Sequence, residues 1–86
     1  MDVDGLLRTL DGAESRLTQL TALSARVAVE LRGRAAAPLA AAGEGSSSPA
    51  PATAASRATA AALGLDEVAR LVSTAADRLR GYRGLL

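Results

Sequence analysis

The chain has no cysteine, no histidine, no phenylalanine and no tryptophan, and only one tyrosine. Each absence removes a class of explanation. Without cysteine there is no disulfide to staple a small fold and no thiolate metal site. Without histidine, the commonest general base and the commonest metal ligand are both missing. With Tyr82 as the sole aromatic, the interior has to be built from Leu, Val and Ala. That palette suits thin helix-on-helix seams and serves a globular α/β core poorly. At 86 residues a single hydrophobic core is marginal, so oligomerisation or a partner chain is the stabiliser that remains.

Lysine is absent as well: the 10 basic residues are all arginine, against 9 acids, for a net charge of +1. That balance steers the chain toward neither nucleic acid nor an anionic membrane. Arginine without lysine, alongside abundant alanine, is the usage of GC-rich genomes and points to an actinobacterial source. No apolar run approaches the roughly 20 residues of a membrane span, and the uncharged stretch Ala35–Gly43 is interrupted by Pro38. The sequence opens Met-Asp-Val-Asp-Gly with no hydrophobic run, so the expected location is the cytoplasm, or the exterior by a leaderless route.

What is present is leucine in register. One stripe runs Val3, Leu6, Leu10, Ala13, Leu17, Leu20, Ser24, Val27, Leu31, and a second runs Leu65, Val68, Val72, Ala75, Leu79, Tyr82, Leu86. Both step by alternating threes and fours, the period of a helix packed along a coiled-coil seam. The pattern predicts a first helix over about residues 2–36 and a second over about 53–83. Asp2 and Asp4 suit the positive end of the first helix dipole, and Arg32 and Arg34 its negative end. Asp11-Gly-Ala-Glu14 could form a capping box and start the helix later, but the unbroken heptad phase across Gly12 favours one continuous helix. Between the helices, residues 38–52 combine Pro, Gly and Ser and are expected to form a flexible hinge, a plain solvated connector rather than a recognition loop.

Folding back on that hinge gives an all-α antiparallel hairpin, with Leu6, Leu10 and Leu17 beside Leu86, Leu79 and Val72. One narrow seam results. Leu7 and Leu23 flank the first stripe, Leu71 and Leu85 flank the second, and Ala69 and Ala76 widen the second on its other side. A lone hairpin leaves these flanks wet, although burying each such leucine is worth roughly 1.5–3 kcal/mol. The expected outcome is a four-helix bundle, formed with a second copy or with a hairpin of another protein. The candidate partner interface is therefore Leu6, Leu7, Leu10, Leu17, Leu20, Leu23, Val27, Leu31, Leu65, Val68, Leu71, Val72, Leu79 and Tyr82. On this basis Leu17→Asp or Leu79→Asp is expected to abolish pairing. Ser24, the polar residue of the first stripe, reads as a weak point or a register marker.

Chemistry has little to work with. No nucleophile elbow, phosphate-binding glycine loop or metal-ligand cluster is present, and no catalytic residue, metal site or cofactor is expected. Asp66 and Glu67 are adjacent acids, but neighbours on a helix point about 100° apart and do not share a substrate. Arg78, Arg80 and Arg83 form one basic group, and Arg26, Arg32, Arg34 and Arg57 another. The hairpin sets them at opposite ends, the first facing Asp2, Asp4 and Asp11, and no aromatic residues interleave them for nucleic-acid binding.

In layout the chain resembles the small helical-hairpin (Esx, WxG-type) proteins of actinobacterial type VII secretion systems. The segment Leu71-Val-Ser-Thr-Ala-Ala-Asp-Arg-Leu-Arg-Gly-Tyr82 is similar to the end of their second helix, where a tyrosine follows an alanine-rich run. The resemblance implies a leaderless hairpin that pairs with a cognate helical protein, and a non-enzymatic role as secretion partner or escort. Two features depart from the family. Gly43-Glu-Gly45 stands where it has Trp-x-Gly, and Arg83-Gly84-Leu85-Leu86 follows Tyr82 in place of a Tyr-x-x-x-Asp/Glu export signal. The alternative expectation is a self-assembling cytoplasmic or phage-type structural subunit that uses the same surface.

Overall fold

In a computed structural model describing residues 2–86, the chain is an antiparallel hairpin of long helices, 66 × 15 × 15 Å in extent. Helix occupies 88% of the structure and no strand is present among the described residues. Helix α1 spans Val3–Leu31, continues through a π-helical turn at Arg32–Ala36, and runs on as α2 over Ala37–Gly43. Together these make one rod of 41 residues. Helix α3 spans Ala50–Arg83 and returns along it.

Local chemistry sets the ends. Asp2 is the N-cap of α1, and its carboxylate accepts from Gly5 N at 2.6 Å, satisfying one of the unpaired donors of the first turn. No helix starts at Asp11: the backbone is continuous through Gly12, as the heptad phase requires. The hinge is shorter than the 38–52 expected from composition. Helix persists to Gly43 and resumes at Ala50, which leaves residues 44–49 as the turn. Gly45, at φ +73°, turns the chain in the left-handed region where glycine carries no Cβ penalty. Ser48 Oγ then accepts from Ala50 N at 3.2 Å to start α3, and Pro51 sits in its first turn, where its missing N–H costs nothing.

Pro38 does not end the first helix because the helix widens just before it. Ala37 N donates to Arg32 O, five residues back, and this extra residue per turn is the π geometry. Pro38 has no N–H to give and its ring crowds the carbonyl four residues earlier, so a locally unwound turn is where a helix can hold it. The inserted residue also rotates everything beyond it. Unbroken α-helix would carry the inward stripe from Leu31 through Ala35 to Pro38; the wide turn brings Ala36, Leu39 and Gly43 inward instead, and leaves Pro38 exposed. At the hinge end the rods nearly touch: a Cβ built on Gly43 would lie 3.3 Å from Ala52 N.

The core lies along the seam and is made of small residues. Ala28, Ala36, Ala55, Ala62, Ala69, Ala76 and Ser24 are buried, with Ala28 and Ala62 at 0% exposure, and among the described residues no large side chain is fully buried. On α3 the buried alanines recur every seventh residue, interleaved with half-buried Ala58, Leu65, Val72 and Leu79. Small side chains at alternate seam positions let two helix backbones approach closely while larger ones fill the space between. The expected second stripe is therefore corrected by one position: Leu65, Val72 and Leu79 do line the seam, but their companions are Ala69 and Ala76 in place of Val68, Ala75 and Tyr82. On α1, Leu10, Leu17, Ser24 and Leu31 face inward with Glu14, Thr21 and Ala28, in place of Ala13, Leu20 and Val27. Ser24, 5% exposed, is a small residue where the rods come close.

Candidate functional site

Ion pairs across the hairpin fix its register and mark one of its two broad faces. Arg80 Nε donates to Glu14 Oε1 at 2.9 Å and Arg83 Nη1 lies 3.0 Å from Glu14 Oε2, while Arg83 also pairs with Asp11. Further toward the hinge, Arg32 pairs with Asp66. This register is about one turn along from the expected pairing of Leu10 with Leu79 and Leu17 with Val72, because the turn at residues 44–49 is centred beyond Gly45, the middle of 38–52. Of the expected arginine–aspartate opposition, Asp11 with Arg83 forms; Asp2 serves as a cap instead.

Glu14 is the best-sheltered acid of this group, its side chain 16% exposed. Its hydrogen bond and that of Asp77 raise the Arg80 pKa further above its already high value, so this arginine stays charged throughout. Within α3, the hydrogen bond from Arg70 holds the Glu67 carboxyl below its ordinary value. Thr18, Thr21, Ser73 and Asp77, with Ala22 and Ala76, line a shallow groove on this side. Apart from the sheltered Glu14, the paired groups are at the surface, where each pair contributes modestly, so their main effect is on register and facing.

The opposite face is apolar. Stepping one position away from the salt-bridged edge, α1 presents Leu6, Ala13, Leu20 and Val27, with Leu23 beyond them. In the same direction α3 presents Ala54, Ala61, Val68, Ala75 and Tyr82, with Leu71 beyond. Two antiparallel helices carry such steps to the same side of their common plane, so the two rows form one surface. Leu23 is 45%, Leu71 54% and Tyr82 50% exposed. Where Val27, Glu30, Leu31, Arg34 and Ala35 meet, the surface has a shallow apolar groove.

The candidate interface residues therefore divide. Leu7, Leu10, Leu17, Leu31, Leu65, Val72 and Leu79 belong to the seam and are half-buried by the hairpin itself. Leu20, Leu23, Val68, Leu71 and Tyr82 are exposed on the apolar face, and Leu6 and Val27 are half-buried at its edge. Of the buried seam residues, Ser24 stood in the expected first stripe and Ala69 and Ala76 beside the second, while Ala28, Ala36, Ala55 and Ala62 were missed. Their signal, alanine at every seventh position from Ala55 to Ala76, was present but weaker than the leucines beside it.

Among the described residues no group of carboxylates could hold a metal ion, and no helix is long and apolar enough to cross a membrane. Comparison with known protein families, with characterised proteins and with solved structures finds no match for this chain.

Proposed function

We propose that this chain is a non-enzymatic helical interaction module whose apolar face packs on a second helical hairpin to complete a four-helix bundle. One observation carries the reading. On each helix the stripe of large apolar residues is centred half a residue step, about 50°, from the line of contact with the other helix, and both offsets point to the same face. In a square bundle every helix has two neighbours at right angles, and its apolar stripe aims between them, about 45° from each. A hairpin complete in itself would centre its leucines on its own seam. This one aims them at a centre it lacks.

The energetic argument agrees. The hairpin buries alanine and leaves its leucines half wet, and covering each is worth roughly 1.5–3 kcal/mol. The process we assign to the pairing is that of a partner or escort in a type VII-like secretion system, on the support of the two-helix layout and its short turn. A self-assembling structural subunit using the same face is the second reading, favoured by how charge is placed along the edges of that face.

The test is purification of the tagged chain from its native host beside two variants. Leu71→Asp places a charge on the apolar face; Leu63→Asp, exposed on the other side, is its control. Both are expected to stay helical by circular dichroism, and only Leu71→Asp is expected to lose the co-purifying helical partner. A Leu71→Asp chain that keeps its partner overturns the proposal.

A further inference from the structure

The edges of the apolar face carry charges that the hairpin itself leaves unpaired, and their spacing points to the occupant. Along the outer edge on α1 stand Arg16, Leu23 and Glu30, each seven residues from the next; along the outer edge on α3 stand Arg78, Leu71 and Gly64, again seven apart. The register fixed by Glu14 and Arg80 sets Arg16 level with Arg78, Leu23 with Leu71, and Glu30 with Gly64. Arg16, Glu30 and Arg78 make no ion pair among the described residues. Leu23 and Leu71 thus mark a midpoint, with arginine one heptad toward the chain termini and glutamate one heptad toward the turn.

We propose that the occupant of the apolar face is a second copy of this chain, stacked end over end about a two-fold axis at the level of Leu23 and Leu71. The inference rests on the docking face proposed above and names its partner. The axis exchanges the arginine level with the glutamate level, so Arg16 of each copy meets Glu30 of the other. Two ion pairs form at positions flanking an apolar seam, where such pairs set partner and orientation in coiled coils. The same operation sets Leu20 against the other copy's Val27, Val68 against its Ala75, and Tyr82 against its small Ala61, a large residue on a smaller one in each case. Turning the second copy to run alongside instead would set Arg16 on the other copy's Arg78 twice, and like charges so placed oppose association. Size fits as well. The face has a footprint of about 1,000 Å² from its extents, against roughly 800 Å² per partner in a standard stable interface.

The test uses the full chain, its Arg16→Glu and Glu30→Arg variants, and an equimolar mixture of the two, followed by sedimentation equilibrium. The wild type is expected to dimerise, and each single variant to dimerise about tenfold or more weakly, since each sets like charges together twice. The mixture is expected to recover a mixed dimer close to wild-type strength, because a chain acidic at both positions then meets one basic at both. Three results overturn the proposal: a wild type that stays monomeric, single variants that dimerise as well as wild type, or an Arg16→Glu variant that dimerises more tightly, which is the signature of side-by-side stacking. A monomeric wild type whose native partner is lost on Leu71→Asp would overturn the second copy and leave the docking face standing.

Discussion

Gly45 and Leu71 stand at opposite extremes of what a single residue does here. Gly45 carries the one positive φ among the described residues, at +73°, and thereby lets the chain reverse within residues 44–49. Replacing it with alanine keeps every contact and adds only the left-handed penalty, about 1 kcal/mol. For a domain of this size the expected fall in melting temperature is about 5 °C, measurable by circular dichroism; an unchanged melt would mean that the turn relaxes elsewhere. Leu71 is exposed outside the seam, and its substitution should leave the hairpin itself intact. Leu17 and Leu79 are the converse case. They are half-buried in the hairpin's own seam, so Leu17→Asp or Leu79→Asp tests whether the hairpin forms before it tests any pairing.

At the scale of the helix, the governing quantity is phase. Alanine at 55, 62, 69 and 76 defines the line along which α3 touches the first rod, and that line tolerates no bulk. Ala62→Leu is expected to destabilise the hairpin by about 1–3 kcal/mol through overpacking, whereas Ala60→Leu, on the exposed side of the same turn, should change stability little. Equal effects in urea titrations would contradict the close seam. Phase also explains what could be read without coordinates. Two long helices, their antiparallel order and the leucine stripes were legible, because a three-four periodicity over this length has few other solutions. The seam itself was misplaced by half a step, since large apolar residues dominate a pattern and mark the centre of all burial, while close helix contact is made by alanine. The hinge was overestimated because Pro38 and the Pro/Ser-rich run suggest an early stop. Nothing in the sequence around Arg32–Ala36 announces a π turn that accommodates the proline.

For the whole molecule, the consequence of a seam without a fully buried large side chain is a modest stability of the lone hairpin that association would raise. The hairpin is held by alanine contacts, half-buried leucines and surface ion pairs, and burial of the apolar face on a second copy, as proposed above, would add to that stability. Its melting temperature is therefore expected to rise with chain concentration, as mass action requires. A midpoint constant over a hundredfold range of concentration would separate folding from self-association. The fold was readable at this scale only as far as the hairpin. In the proposed dimer, partner choice rests on Arg16 and Glu30, whose matching emerges once the register of the two rods is known.

The chain's aromatic poverty gives it an intrinsic optical reporter. Tyr82 is the only tyrosine and there is no tryptophan, so all its near-ultraviolet absorbance and emission arise from one ring, half exposed at the rim of the apolar face. Any change in that signal on mixing or dilution therefore describes a single known place on the surface, and docking on this face can be followed with unlabelled protein.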